Sequence, residues 1–506
     1  MDALPVFDEL HVISDLHLGG TKGFQIFGST NELKSFIDWV RDRPGARVAL
    51  LINGDTVDFL AEPRVEPGAE YLDPRGANRM LDRIFQDDTF KPVFDALTKF
   101  VERPNRRLIF TLGNHDLELA LPWVRDHFVE LIAGDNDAAK GRITLALDGA
   151  GYSCSVGGSS ILCVHGNEVD TWNVTDYERL RRLGRDYVQG RPTEAWAPNA
   201  GTKLVIDVMN SVKAKFPFVD LLKPEVEAVV PVVLAMDPTQ IKKLARLTEV
   251  GGRLAWDSVR RMTGFLSAGE EAVPGTVGID RKKETQPVST GPLDRLLADT
   301  FSRGGRPLEG AGSQDLMKDI ETGFERRIDP LDLVSPERQG ETLGGFSAAW
   351  DWITRRPTHE VLREALEKLK EDQSFNPRNP DSPYRRIDEL MGIGFDYLIT
   401  GHTHQERSLG RSRGRGAYFN SGTWVALMHF TADQLSSDKK FEDVFKVLRD
   451  SRTIAELERY PGLVERKPAA VSITLESNVV KAQLRRVSLA NNQVVLTDVD
   501  SGTGGN

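Results

Sequence analysis

Arg47-Val48-Ala49-Leu50-Leu51-Ile52-Asn53-Gly54-Asp55-Thr56-Val57-Asp58 opens as an apolar run, residues 47–52, and breaks at once into glycine and carboxylates. The run reads as a buried strand, and the polar motif follows its carboxyl end. The same pattern recurs on either side. Leu10-His11-Val12-Ile13-Ser14 leads into Asp15-Leu16-His17, and residues 107–112 lead into Gly113-Asn114-His115-Asp116. Between them, residues 31–41 place Leu33, Phe36, Ile37 and Val40 at helical spacing, and residues 90–101 do the same with Val93, Phe94, Leu97 and Phe100. Strand, helix, strand in alternation predicts an α/β fold with crossover helices. Open α/β sheets hold ligands beyond the carboxyl ends of their strands, where every one of these motifs falls.

Further along, residues 142–147, 152–156 and 160–164 read as strands, with Gly157-Gly158 turning between the last two and His165-Gly166-Asn167 closing the series. The rhythm then stops. From about 171 to 383 the periodicity is mostly helical, with candidate helices at 177–187, 202–215, 225–235, 239–247 and 359–371. Residues 268–291 and 303–312 are rich in Gly, Pro and charge and read as loops or partly disordered linkers. Sheet pattern resumes at 395–399, which runs into Gly401-His402-Thr403-His404, and continues through 417–420 and 425–428. A charged helical stretch, 438–458, precedes a closing hairpin of 470–476 and 479–487 turned by Ser477-Asn478. The expected organisation is a core in two parts, 1–170 and 391–498, split by a helical insertion at 171–390 that forms a partly flexible lid. A flexible tail, 499–506, ends the chain.

Composition sets bounds on this reading. With 506 residues, 40% hydrophobic and 28% charged, the chain suits a packed globular core of two or three domains. A net charge of −10 argues against a protein that coats nucleic acid electrostatically. The two cysteines, Cys154 and Cys163, make no disulfide scaffold and fit a reducing, cytoplasmic setting; the hairpin can bring them face to face. No basic, apolar leader opens the chain and no long uncharged run suggests a spanning helix. The apolar stretch 216–236, broken by Pro217, Pro224 and Pro231, reads as core of the insertion, with an acyl pocket or a peripheral membrane contact as the other readings.

The polar motifs carry metal-binding chemistry. Asp15 and His17 are two apart, so in extended chain they point the same way and reach one ion. His402 and His404 repeat that spacing. Asp55 can bridge two ions through its two oxygens, Asn114 offers an amide oxygen and His165 an imidazole. This mixture of oxygen and nitrogen suits two divalent ions of the Mn, Fe, Zn or Co kind, manganese foremost, better than calcium. Asp58 reads as a supporting or capping carboxylate. His11, His127, His359 and His429 read as residues outside the site.

Ile13-Ser14-Asp15-Leu16-His17-Leu18, Gly54-Asp55-Thr56-Val57-Asp58, Gly113-Asn114-His115-Asp116, Val164-His165-Gly166-Asn167 and Gly401-His402-Thr403-His404 together resemble the calcineurin-like metallophosphoesterase superfamily, over about 9–170 and 393–430. The resemblance implies a β-sandwich flanked by helices. It implies one ion on Asp15, His17, Asp55 and His404, and a second on Asp55, Asn114, His165 and His402. By the same resemblance His115 is a proton donor or phosphate contact oriented by Asp116, and Asn420-Ser421-Gly422-Thr423-Trp424 looks like the closing strand motif. Within the superfamily the chain looks most like the UDP-2,3-diacylglucosamine hydrolase type, which also carries a helical insertion between its last two metal motifs. That type usually has Arg where His115 stands and Asp where Asn167 stands, and a shorter insertion.

The expected reaction is attack on phosphorus by a hydroxide held between the ions, with His115 protonating the leaving oxygen. The expected substrate is a phosphodiester or diphosphate, lipid- or nucleotide-linked. Arg179 and Arg182 on the 177–187 helix, with Asn167, are candidate substrate contacts; the same arginines, with Arg181 and Arg185, equally read as a solvated helix face. Arg411, Arg413 and Arg415 read chiefly as a solvated hairpin tip. A nuclease of the same superfamily and a non-catalytic scaffold are the alternatives. The acidic balance and the insertion's position disfavour the first, and the full ligand set disfavours the second.

Overall fold

The computed structural model describes residues 4–64, 72–170, 172–193, 196, 198–222, 232–233, 235–237, 240, 357–370 and 375–499. By packing, the chain divides into two compact units: Met1–Pro224 with Glu371–His429 and Val447–Asn506, and Glu225–Lys370 with Phe430–Lys446.

The strands of the first unit are β1 (Val6–Phe7), β2 (Glu9–Ile13), β3 (Val48–Asn53), β4 (Arg106–Thr111), β5 (Ile143–Ala146), β6 (Tyr152–Val156), β7 (Ser159–Cys163), β8 (Tyr397–Thr400), β9 (Glu406–Gly410), β10 (Ala417–Ser421), β11 (Ala426–Met428), β12 (Val464–Arg466), β13 (Ala469–Glu476), β14 (Val479–Ala490) and β15 (Gln493–Asp498). One sheet has seven strands in the order β15-β14-β13-β2-β3-β4-β5, and the other six in the order β1-β6-β7-β8-β10-β9. The run from β2 to β5 is parallel, as the crossover helices require.

Strand alternation explains why these segments are apolar on both faces. Leu10, Val12, Ala49, Leu51 and Ile109 point to one side, where they meet Cys154, Val156, Ile161, Ile399 and Phe419 of the six-stranded sheet. Val48, Leu50, Ile52, Leu108 and Phe110 point to the other side. There they are covered by helices α1 (Thr30–Arg41), α2 (Pro74–Gln86), α3 (Lys91–Glu102) and α4 (Val124–Ala133). The short α5 (Asp137–Lys140) and then α6 (Tyr177–Val188) follow, and α6 adds Leu180 and Leu183 to the same core. On the outer face of the six-stranded sheet, Tyr384 and Ile387 of the helix Ser382–Leu390 pack on Leu162, Leu398 and Tyr418. Each fully buried Leu or Phe contributes about 1.5–3 kcal/mol over its exposed state. The result is the helix-flanked β-sandwich that the resemblance implied.

Several elements escaped the sequence reading. Helix α2 starts at a cap in which Asp73 accepts from the Gly76 amide at 2.7 Å, with Pro74 in the first turn. Its apolar face, Ala77, Met80, Leu81, Ile84 and Phe85, has helical spacing and packs on the core; the sequence reading passed over it. Strand β15 lies at a sheet edge and turns only Val494 and Leu496 to the core, an alternation too short to stand out in the sequence. The stretch expected as one helix over 438–458 is two, Asp438–Asp450 and Ile454–Glu458, with Thr453 capping the second. Cys154 pairs with Ile161 and Cys163 with Tyr152, so the two free, buried thiols are offset along the hairpin and do not face each other.

The expected helices at 225–235 and 239–247 and the loops at 268–291 and 303–312 lie wholly or largely outside the described residues, as does most of the 499–506 tail. In the described part of the apolar 216–236 stretch, Phe218, Val219, Leu221 and Leu222 are buried, as core packing requires. Among the described residues no helix is long and apolar enough to cross a membrane. In the second unit, the helix Thr358–Lys370 bonds through Arg363 Nε to Asp438 Oδ1 at 2.6 Å.

Candidate metal centre

Five strand ends meet at one place. β2 delivers Asp15 and His17, β3 delivers Asp55, and β4 delivers Asn114 and His115. From the other sheet β7 delivers His165, and β8 delivers His402 and His404. The chain reaches these positions by an unusual backbone. Asp15, His17, Asp55, His402 and His404 all have left-handed φ, between 47° and 68°. That conformation costs an L-residue roughly 1–2 kcal/mol and persists only where the surroundings enforce it. Here they do: the Leu16 and His17 amides both donate to the Asp55 carbonyl at 2.9 Å, and the His402 amide donates to the Asp15 carboxylate at 3.0 Å. The loops also touch. A Cβ at Gly113 would lie 2.1 Å from Asp55 Oδ1, and one at Gly401 would lie 2.4 Å from Asp15 Oδ2, so only glycine fits at either position.

The side chains form three overlapping groups, Asp15 with His17 and His404, His17 with Asp55 and His115, and Asp55 with His165 and His402. Within each, the ligand atoms lie within 4.8 Å of one another. His17 Nε2 is 3.0 Å from His404 Nε2 and 3.6 Å from Asp55 Oδ2. His165 Nε2 is 3.2 Å from Asp55 Oδ2, and His404 Nε2 is 3.2 Å from Asp15 Oδ1. Ligands at about 2.1 Å from a shared ion, set at 90–110° to one another, are separated by about 3.0–3.5 Å. The spacing therefore suits divalent ions seated among these atoms.

Hydrogen bonding on the outer side of each ring supports the fit. His165 Nδ1 lies 2.8 Å from the Asn53 carbonyl, which can only accept, so Nδ1 carries a proton and Nε2 is the nitrogen aimed at Asp55. His17 Nδ1 donates to Asp58 at 3.1 Å, and His402 Nε2 to Asp170 at 2.9 Å. Such outer partners fix tautomer and ring orientation at metal sites. Asn114 Oδ1 is buried with no hydrogen-bond partner among the described residues. Buried polar atoms are rarely left so, and a cation would satisfy this one.

The electrostatics point the same way. Burial pushes the Asp15 carboxyl up, but His404 and His165 outweigh it and hold it at about 2. Asp55 is likewise penalised by burial yet driven well below its ordinary value by His165, His115 and His17. Burial pulls His165 down, and Asp55 overrides it and lifts the ring to about 10. The cluster thus demands positive charge between His165 and Asp55, which a proton or a divalent ion can supply.

Two expected roles are rearranged. Asp116 does not orient His115: its Oδ1 accepts from the Gly113 amide at 2.7 Å and its Oδ2 from the Thr56 amide at 2.8 Å. It pins two motif loops together, and burial together with Asp55 raises it to about 7. Asp58 holds the His115 ring instead, Oδ1 to Nδ1 at 3.1 Å, while its other oxygen holds His17. Neighbouring residues in a turn face different ways, so adjacency in sequence misassigned the partner. Asp170 was missed altogether; its signal was an acid soon after His165, too common to single out.

The expected substrate contacts fare differently. Asn167 is buried, and its Nδ2 donates to the Asn173 carbonyl at 3.0 Å and to Thr175 Oγ1 at 3.3 Å, bracing the turn before α6. Arg182 is exposed and paired with Glu178 at 2.9 Å, while Arg179 lies over the Trp196 ring at 5.9 Å. Neither contact reaches the cluster. Arg411 is no solvated tip. Its side chain is fully buried, bonded to Asp388 at 2.8 Å and to the Phe395 carbonyl, and it ties the helix Ser382–Leu390 to the sheet. His11, bonded to Ser472 and Glu9, and His127, bonded to Asp82, lie outside the site.

Residues 10–218 match the family model described as calcineurin-like phosphoesterase. No curated protein matches the chain. The chain thus carries a calcineurin-like phosphoesterase domain, a family whose chemistry is metal-dependent phosphoester hydrolysis. The matched span contains Asp15, His17, Asp55, Asn114 and His165 and ends before His402 and His404, which the fold returns to the same place.

Proposed function

We propose that the chain is a dinuclear-metal phosphoesterase that hydrolyses a phosphodiester or diphosphate bond, with Asp15, His17, Asp55 and His404 holding one ion and Asp55, Asn114, His165 and His402 the other. The observation that carries this is His165 Nε2 facing Asp55 Oδ2 at 3.2 Å, with the opposite ring nitrogen committed to the Asn53 carbonyl. Manganese is the first choice of metal on the mixed donor set, with iron, zinc and cobalt next.

When bound, such ions polarise phosphoryl oxygens and lower the pKa of a water molecule. The protein's own groups do the rest. Asp58 fixes His17 and His115 together, so the ring that binds and the ring that donates a proton keep one geometry. His115 is paired to Asp58 through Nδ1, and in this reading the ring, when protonated, gives a proton to the leaving oxygen. Asp116 keeps the Gly54 and Gly113 loops in contact. The segment 171–390, which enters between His165 and His402, would supply substrate selection. A lipid- or nucleotide-linked phosphoester and a cytoplasmic setting complete the reading; the two free buried cysteines support the latter.

The test is direct. Protein stripped of metal and reloaded with Mn²⁺ should hold two ions per chain by mass spectrometry and cleave bis-p-nitrophenyl phosphate only when loaded. A fully loaded protein that cleaves no phosphoester overturns the proposal. A panel of nucleotide diphosphate sugars, their acylated forms, phospholipids, cyclic nucleotides and single-stranded DNA then ranks the substrates.

A further inference from the structure

One helical segment of the first unit bonds to both turns that carry the outer carboxylates of the metal centre, Asp170 and Asp58. It runs from Ala200–Lys203 through the π-helical turn Leu204–Met209 to Asn210–Lys213, and buried Leu204, Val208, Met209 and Val212 seat it. Its first end meets the turn of Asp170. The Gly201 amide donates to the Trp172 carbonyl at 2.9 Å, and the Trp172 amide donates to Asp170 Oδ1 at 2.9 Å. Asn173 Nδ2 donates to Asp170 Oδ2 at 2.7 Å, and the same oxygen lies 2.9 Å from His402 Nε2. The oxygen of that Asn173 amide rests on Gly201, where a Cβ would lie 2.0 Å from Oδ1. A larger residue at 201 must therefore displace the side chain that holds Asp170.

The far end meets the turn of Asp58. Asn210 Nδ2 donates to the Leu60 carbonyl at 3.0 Å. Leu60 lies inside a turn closed by the Ala61 amide, which donates to Asp58 Oδ1 at 2.9 Å. That oxygen holds His115 Nδ1 and its twin holds His17 Nδ1, both at 3.1 Å. Gly201 and Asn210 are nine residues apart, about two and a half turns of α-helix, which would point them to opposite sides. The π-helical turn between them closes i→i+5 bonds and spends more residues per turn, so it rotates the two anchors toward one side.

We propose that segment 200–213 is a two-point brace for the metal centre: Gly201 and Asn173 are positioning residues that act on His402 through Asp170, and Asn210 is a positioning residue that acts on His17 and His115 through Asp58. The proposal rests on the ligand assignment of the phosphoesterase reading, and not on which ester is cleaved. The segment belongs to the stretch inserted between His165 and His402, so a displacement of that stretch reaches ligands of both ions. The coupling is reciprocal, and ion binding holds the segment in place to the same degree.

Calorimetric titration of the metal-free full chain with Mn²⁺ tests this. Outer partners of metal ligands are worth about 10- to 100-fold in affinity, so a brace one bond further out should be worth about tenfold. Gly201→Ala should weaken one ion by about that factor and leave the other within about twofold, and Asn210→Ala should do the same to the other ion. The readout that separates positioning from plain stability is dependence on the carboxylate. In an Asp170→Asn background, Gly201→Ala should add less than about twofold, while Asn210→Ala keeps its full cost. In an Asp58→Asn background the pattern should reverse. Asn173→Ala breaks the first link without crowding, and it takes the place of Gly201→Ala if that variant does not fold. Costs that fall on both ions from either end, or that survive in the matching carboxylate background, would mark general loosening and overturn the brace. Wild-type affinities in Gly201→Ala, Asn173→Ala and Asn210→Ala would overturn it too. Binding is read without substrate, so a chain that shows these couplings yet cleaves no phosphoester sinks the hydrolytic reading alone. A chain that binds two ions and shows none of them sinks the brace alone.

Discussion

The seven-stranded sheet brings Asp15, Asp55 and Asn114 to the site, along with His17, whereas the six-stranded sheet brings His165, His402 and His404. The oxygen side comes from adjacent parallel strands, so its carboxylates are forced close: Asp55 acts on Asp15 as a like charge that opposes its ionisation. The imidazole side relieves this, since His404 and His165 are the groups that hold Asp15 down and His165 the foremost that holds Asp55 down. Neither sheet has a balanced site by itself. The centre exists only when the two layers are locked in one register, and the apolar interface between them does that locking.

The sharpest way to break this contrast is to remove the residue on which both groups depend. Asp55→Ala should lose both ions and lower kcat/KM by more than the roughly 100-fold upper range seen for outer-shell changes at metal sites. If mass spectrometry still finds two ions per chain, Asp55 is not the bridge. His115→Ala, on the oxygen side but assigned to proton transfer, should keep both ions and lose about 10²–10⁴ in kcat. That loss should shrink for leaving groups such as p-nitrophenolate, which need no proton. An equal loss across leaving groups of different pKa would remove the general-acid role.

The outer clamps sharpen the comparison at a lower level. Asp170→Asn and Asp58→Asn should each cost about 10- to 100-fold in metal affinity or activity. They should differ in kind. Of the proposed ligands, Asp170 bonds to His402, its other bonds going to Trp172 and Asn173, so its loss should weaken one ion. Asp58 touches His17 and His115, so its loss should weaken the other ion and also alter the alkaline limb of the kcat profile, where a general acid loses its proton. Identical metal stoichiometry in the two variants would contradict the division.

The smallest expected effect is on the thermal stability of metal-free protein. His165 rises from an ordinary 6.5 to about 10, so its contribution is full below about pH 6.5 and fades as pH climbs through 10. Asp116 and Glu118, raised to about 7 and about 8, have the same sign and begin to lose their contribution at lower pH. Tm should therefore fall between about pH 5 and 10, by on the order of a few degrees. Metal loading should flatten the upper part, because the ion takes the place of the His165 proton. A metal-free Tm that rises with pH over this window would show that the rings are not paired as described.

What the sequence disclosed follows from how far each interaction reaches. Asp15 with His17 and His402 with His404 declare themselves because each pair lies two residues apart at a strand end. The buried strands declare themselves because both faces are apolar. Asp170 reaches His402 across 232 residues, and nothing local marks it. Asp116 sits beside His115 in the chain yet turns to two backbone amides, so its neighbour's true partner, Asp58, shows only in three dimensions. Arg411 looked like a charged loop tip because its counter-ion, Asp388, comes from a helix 23 residues upstream.

The left-handed backbone at Asp15, His17, Asp55, His402 and His404 sets function against heat resistance. Glycine adopts that conformation freely, and asparagine tolerates it better than most residues. A library of variants screened only for survival at raised temperature, in the presence of a chelator, should therefore enrich Gly and Asn at these positions and discard the very side chains that bind metal. The same library screened for hydrolysis should hold all five unchanged. Sequencing the two populations side by side would trace the outline of the active centre from the positions where they disagree, with no substrate known in advance beyond a chromogenic diester.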